Sequence, residues 1–207
     1  MIRPPGFPGA AFGDANDGDG RNDPAVRRTW QERWGIPADW ATMRQVHGAA
    51  ARRVEAAGDQ GEADALFTTR TGIALAAATA DCVPIIVAGD GGVAVIHAGW
   101  RGAAAGIVPA MLGALQAAGI RPERAALGPA IRACCYEVGP EVAQRFPQGV
   151  TSRTTSGATS LDLPAFLREQ LRSLNVWDAA TCTMCDAGFF SHRESGTPHR
   201  QVALGWM

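Results

Sequence analysis

The chain has 207 residues, 46% of them apolar, and 19 Lys+Arg offset 20 Asp+Glu to leave a net charge of −1. That length and apolar content suit one globular domain with a sizeable core and exclude a disordered chain. The balanced charge provides no field for nucleic acid or a membrane surface, and no stretch approaches the ~20 apolar residues of a membrane span.

Residues 1–24 are rich in Gly, Pro, Asp and Asn and read as a loop-rich segment. Met1-Ile-Arg-Pro-Pro-Gly6 lacks the apolar core of a signal peptide, so a cytoplasmic location is expected. In such a reducing compartment the five cysteines point to thiols or metal ligands rather than disulfides. Asp14-Ala-Asn-Asp-Gly-Asp-Gly20 resembles a calcium loop, but Gly18 falls where the third oxygen ligand belongs and Ala25 where the closing Glu belongs. A polar surface turn is the reading. Asp23-Pro24 opens a helix through Val26, Trp30 and Trp34 that stops at Gly35. Met43–Gly48 is expected as a strand ending at His47, Ala49–Val54 as extended chain and Gly58–Gly61 as a turn. Gly72–Thr79 reads as a buried strand or a short helix, and the bounding Gly with the strand after it favours strand. Ala103–Ala118 predicts a helix closed by Gly119, with Pro109 bending or breaking it. Ala125–Leu127 is a short strand, Pro140 opens a helix, and residues 148–160 read as a Gly/Ser/Thr-rich loop. Asp162 caps a helix that lines up Leu163, Phe166, Leu167, Leu171 and Leu174. Strands and helices mix without strict alternation, which favours an α+β or mixed-sheet α/β fold in a single domain.

The centre of the chain carries the chemistry. Ile85–Ile96 reads as strand, Gly-rich turn and strand, a hairpin that brings Cys82 beside His97. With His47 these make two imidazoles and a thiolate, a set suited to Zn²⁺ or copper with a fourth position open. The alternative is a buried structural Cys with two satisfied histidines. Cys182-Thr-Met-Cys185 has no second pair at zinc-ribbon spacing and reads as a packed or free thiol pair, and Cys135 as core or pocket lining. Asp81 is a candidate carboxylate for orienting a ligand histidine, or it caps the turn. Trp100 is packing or a stacking face.

Several stretches resemble the laccase-domain (YfiH-like) family. They are Gln45-Val-His-Gly48, Ala63-Asp-Ala65 with Thr68, Thr79-Ala-Asp-Cys-Val-Pro84, His97-Ala-Gly-Trp-Arg-Gly102, Gly128-Pro-Ala-Ile131, Cys135-Tyr-Glu-Val-Gly139 and Phe189-Phe-Ser191. The resemblance implies an α/β/β/α layered sandwich and a metal site at His47, Cys82 and His97, holding Zn²⁺ with Cu²⁺ as the alternative. It also implies a purine nucleoside phosphorylase acting on adenosine, inosine or methylthioadenosine with phosphate, with adenosine deaminase activity beside it. Two regions depart from the family pattern: the N-terminal segment is shortened, and the tail reads Ser191-His-Arg-Glu-Ser-Gly196 then Pro198-His-Arg200, with Glu194 where a positive charge is usual.

On this reading Arg101, Arg193 and Arg200 are candidates for the anion site, because guanidinium grips phosphate through paired bonds. Gln45 and Trp100 join them as substrate contacts. Glu194 would weaken the anion site, and His192 or His199, if protonated, would partly restore its charge. Cys82 and Asp81 are the catalytic candidates, Cys82 as a ligand first. The rivals are a copper-dependent polyphenol oxidase, a metal-free hydrolase with Cys82 as nucleophile and His97 as base, and a non-catalytic binding protein.

Overall fold

The computed structural model describes residues 1–20 and 23–207. The elements run β1 (Ala10–Phe12), α1 (Pro24–Trp34), β2 (Asp39–Arg44), β3 (Ala51–Arg53), β4 (Gly58–Glu62), β5 (Ala65–Thr68), β6 (Ile73–Thr79), β7 (Val83–Asp90) and β8 (Gly92–Ala98). They continue with α2 (Trp100–Ala104), α3 (Ile107–Ala117), β9 (Arg121–Leu127), α4 (Pro140–Ala143), β10 (Thr151–Arg153) and β11 (Thr159–Leu161). Last come α5 (Leu163–Gln170), β12 (Asn175–Asp178), α6 (His192–Ser195) and β13 (Gln201–Gly205). One mixed sheet has the order β1-β13-β6-β2-β4, the other β12-β9-β7-β8-β5-β3, and β10 and β11 form a separate hairpin.

Period-two alternation in the central strands builds the layers. On β7, Val83, Ile85 and Val87 meet α3 and α5 through Ile107, Met111, Leu115 and Leu167. The opposite faces of β7 and β8, through Ile86, Val93 and Val95, pack on Phe12, Leu75, Ala77 and Ala203 of the five-stranded sheet. That sheet's outer face, Ala11, Trp40, Ala74, Ala76 and Leu204, is covered by Trp30 of α1 and by Ile36 just after it. The result is the expected α/β/β/α sandwich.

Strands β2 to β7 alternate between the two sheets, so each connection between them crosses from one layer to the other. Because β2 runs parallel to both β4 and β6, the three crossings that leave their C-terminal ends emerge at one end of the sandwich. His47 lies in the first of these crossings, Asp64 in the second, and Asp81 and Cys82 in the third. The β7–β8 pair brings His97 opposite Pro84 at the same end, and β13, antiparallel to β6, begins there with Gln201 opposite Thr79. This topology gathers the candidate residues into one place.

Helix α1 matches its sequence signals: the Asp23 carboxylate accepts from Ala25 N and Gly35 takes φ 67°. The Asp14 turn is also as read, with Asp14 N donating to Asp17 and Asn16 N to Asp14. Other expectations are corrected. The strand before His47 ends at Arg44, which leaves His47 in the crossing at φ 61°. Gly58–Glu62 is not a turn but edge strand β4, formed because β2 supplies its ladder. The 148–160 stretch is mostly the β10–β11 hairpin. The Ala-rich helix breaks at Gly106, φ 83°, and Pro109 sits in the first turn of α3, where its missing N–H costs nothing. The loop-rich N-terminal segment contributes strand β1 along β13.

Two glycines separate packing from propensity. A Cβ on Gly205 of β13 would stand 3.0 Å from Val95 and 3.1 Å from Val93 of the facing sheet, whereas one on Gly113 within α3 would meet nothing within 4 Å. Gly205→Ala is expected to destabilise by ~1–3 kcal/mol and Gly113→Ala to stabilise by ~0.5–1 kcal/mol. Thermal unfolding checks this, and midpoints that move in the same direction would contradict the packing described.

Candidate metal centre and active site

One buried carboxylate organises the site. Asp64 Oδ1 accepts from His47 N at 2.9 Å, and Oδ2 accepts from Gly48 N at 2.7 Å and Val46 N at 3.3 Å. Oδ1 also faces His97 Nδ1 at 2.8 Å, while the Asp64 carbonyl accepts from His97 N at 2.7 Å. Asp64 therefore holds the strained His47 crossing and fixes His97 with Nδ1 engaged. Its other ring nitrogen, Nε2, is left for the site, the usual way a carboxylate orients a ligating imidazole.

His47, Cys82 and His97 offer ligand atoms that all lie within 4.8 Å of one another. His47 Nε2 is 3.9 Å from Cys82 Sγ, and the two imidazoles stand edge to face with centroids 4.7 Å apart. Gly99 has no alternative here: a Cβ would press 2.9 Å from the His47 ring and 3.2 Å from Cys82 Sγ. A Cβ on Gly102 would come within 2.6 Å of the Gly48 carbonyl. The glycines of His97-Ala-Gly-Trp-Arg-Gly102 are thus the cradle that lets the His47 crossing close over Cys82.

Burial would raise the Cys82 thiol, but its hydrogen bonds to His47 and His97 and their charges prevail, and the pKa falls to about 6. Burial would likewise lower His97, but Asp64 and Cys82 together raise it to about 9. The pair favours thiolate and imidazolium, held by Asp64, whose own carboxyl sits below its ordinary range: burial opposes this, and His97 with the Gly48 and His47 amides outweighs it. Once His97 gives up its Nε2 proton, two nitrogens and a ready thiolate, oriented from behind and unobstructed in front, fit a borderline-soft divalent metal.

Above the three residues opens a cleft of about 480 Å³ lined by Met43, Arg44, Gln45, His47, Ala78, Thr79, Ala80, Cys82, His97, His192 and Arg200. Of the sequence candidates, Gln45, Cys82, Arg200 and both ligand-type histidines are brought together here. The Gln45 amide is already engaged, donating to Ala78 O and accepting from Ala78 N. Trp100 and Arg101 line a separate surface cleft with Arg145. Arg193 turns away, donating to Glu137 O with its guanidinium 5.4 Å from the Tyr136 ring. Asp81 contacts neither histidine. At φ 89°, it accepts from the Thr183 hydroxyl and from Arg193 N, both at 2.7 Å, and so pins the tail to the crossing before Cys82. Glu194 is exposed in the short helix α6.

Asp64 carries a role that sequence reasoning did not assign. Asp64 lay inside a quoted motif, but only the tertiary fold shows what it bonds. Tyr136 is held above its ordinary pKa by burial and by the nearby Cys82 and Asp81 charges.

Alkylation of Cys82 in metal-free protein, followed by peptide mass spectrometry, tests the electrostatics. The rate is expected to rise through about pH 6 and then level off, where an ordinary thiol rises near ~8.5. Asp64→Asn should move the midpoint upward by weakening His97 as a cation. A midpoint in the ordinary thiol range in the unaltered protein would dismiss the thiolate.

Comparison with known proteins agrees with this architecture. Residues 5–207 match the family model described as multi-copper polyphenol oxidoreductase laccase. A Corynebacterium glutamicum protein named purine nucleoside phosphorylase is 38% identical over 180 residues, covering 80% of this chain and 73% of its own length. A Streptomyces griseus protein of the same name is 35% identical, covering 98% and 90%. The crystal structure of YlmD from Geobacillus stearothermophilus superposes with a TM-score of 0.85 at 31% identity, covering 98% and 94%. That of Bacillus licheniformis YfiH gives 0.84 at 25%, covering 96% and 92%. Among the described residues no helix is long and apolar enough to cross a membrane. With the motifs, the four-layer fold and the matched length in agreement, the chain belongs to the multi-copper polyphenol oxidoreductase laccase family, the YfiH-like laccase-domain proteins.

Proposed function

We propose that this protein is a purine nucleoside phosphorylase working in the cleft above His47, Cys82 and His97, and that these three side chains hold a metal ion, Zn²⁺ or alternatively Cu²⁺. The observation that carries the reading is the convergence of an N₂S ligand set within 4.8 Å beneath a wall that includes Arg200 and His192. The names of the relatives support the substrate class, a purine nucleoside with phosphate. A bound metal would supply Lewis acidity and activate water, chemistry that would also serve adenosine deamination.

Phosphorolysis joins a phosphate oxygen to C1′ of the ribose while the bond from C1′ to the purine nitrogen breaks. The electron pair leaves with the base, which takes up a proton. Arg200 is the phosphate anchor in this proposal, its guanidinium held at the rim by donation to the Thr197 and His199 carbonyls, each at 2.7 Å. His192, on the same wall, carries the proton for the departing purine. Cys82 serves as a ligand, and Asp81 positions the α6 segment that presents His192.

One observation favours a second reading. The Cys82 thiolate beside His97 is also the pair a metal-free cysteine hydrolase needs. The copper oxidase reading has less support: four-electron oxidation needs several coppers, and beyond His47 and His97 the chain has only His192 and His199.

Purine release from inosine or adenosine is expected to require phosphate, to yield ribose 1-phosphate and to stop in strong chelator. Arg200→Ala should raise the phosphate KM about tenfold, equivalent to ~1.4 kcal/mol, with a smaller effect on the nucleoside KM. Arg101→Ala should stay near the unaltered enzyme. Purine release that ignores phosphate would sink the phosphorylase proposal, and full activity in chelator would favour the hydrolase.

A further inference from the structure

The fold brings together a second group of soft ligands that the proposed function does not use. Cys134 and Cys135 lie in the turn after β9, and Cys182 and Cys185 in the turn after β12. Their four sulfurs all lie within 4.8 Å of one another. Cys135 Sγ is 3.3 Å from Cys185 Sγ, and Cys134 Sγ is 3.7 Å from it. These separations are too long for a sulfur–sulfur bond, and all five cysteines are free. They are close to the ~3.8 Å edge of a tetrahedron with sulfurs ~2.3 Å from its centre, the dimensions of a zinc tetrathiolate.

The backbone frames the cluster. Residues 130 and 182 form a parallel bridge, with Ala130 N donating to Thr181 O at 3.2 Å and Thr183 N to Ala130 O at 3.1 Å. Cys135 N donates to Arg132 O, and Cys185 N to Cys182 O, so each pair rides on its own tight turn.

We propose that Cys134, Cys135, Cys182 and Cys185 bind one Zn²⁺ in a closed, structural tetrathiolate site. Four protein ligands leave no position for substrate, unlike the set at His47, Cys82 and His97. Binding displaces the thiol protons and forms four zinc–sulfur bonds with no redox change. The metal staples two turns whose sequence neighbours support the cleft: Tyr136 directly follows Cys135, and the Thr183 hydroxyl between Cys182 and Cys185 donates to Asp81, next to Cys82. The inference is independent of what His47, Cys82 and His97 bind.

The test measures zinc in protein purified under reducing conditions, exposed to zinc and desalted. Cys82→Ser is expected to retain one tightly held equivalent, and Cys182→Ser/Cys185→Ser to hold one fewer than the unaltered protein and to unfold at lower temperature. Cobalt loaded into Cys82→Ser should show the intense sulfur-to-cobalt charge-transfer absorption of a four-thiolate tetrahedron. If the double variant does not fold, mercurial titration of folded Cys82→Ser should release its zinc as four thiols react. A Cys82→Ser protein that retains no zinc, cobalt spectra without thiolate absorption, or intact masses that show disulfides among these cysteines would each overturn the proposal.

Discussion

The structure depends on the buried Asp64 carboxylate. Three successive backbone N–H groups of residues 46–48 and one imidazole converge on its two oxygens. A carboxylate without such partners would not remain charged in the interior. Without the carboxylate, those amides would be orphaned and His47 would have no reason to keep a left-handed backbone. The same group joins the crossing that carries His47 to the strand that carries His97, and so to the two central sheets. The placement of His47 and His97 is therefore part of how the fold satisfies its buried polar groups, not an addition to its surface.

Interleaved strands make that convergence possible. Parallel β2, β4 and β6 direct successive crossings to one end of the sandwich, where β8 and β13 also meet the cleft. Gly99 and Gly102 then allow backbone and ligands to approach more closely than any side chain would permit. The electrostatics follow from this packing: Asp64 favours a charged His97, and His97 with His47 favours a charged Cys82. Asp64 and His97 are buried and Cys82 partly so, and each is charged because of the next.

Support for the cleft comes from behind as well. Asp81 holds Thr183 on one side and the backbone of α6 on the other. The four-cysteine cluster lies where the segment carrying Thr183 meets the one carrying Tyr136. Chemistry at the front thus rests on two hydrogen-bonded carboxylates, Asp64 and Asp81, with different duties. One orients His97, and the other ties down the segment that carries His192.

Much of this was legible in the chain. Local signals suffice where neighbours in sequence are neighbours in space: the cap and stop of α1, the Asp162 cap of α5, and the hairpin that sets Cys82 beside His97. Residue types at strand ends pointed to an N₂S set, the mixed run of elements to a mixed-sheet α/β fold, and the family resemblance to the layered sandwich. Tertiary structure decided the rest. Gly58–Glu62 became a strand because β2 offered hydrogen bonds to a segment with no strand propensity of its own. Arg193 and Arg101 left the cleft while Arg200 stayed, because backbone direction, not charge, chooses where a guanidinium reaches. Asp64 took the histidine that Asp81 seemed placed to hold. Cys134-Cys135 and Cys182-x-x-Cys185 looked unrelated in sequence and met only when β9 and β12 paired in parallel. Residue types determined which chemistry the chain can perform; strand pairing over long separations, set by burial and by the need to satisfy every backbone group, determined which residues stand together.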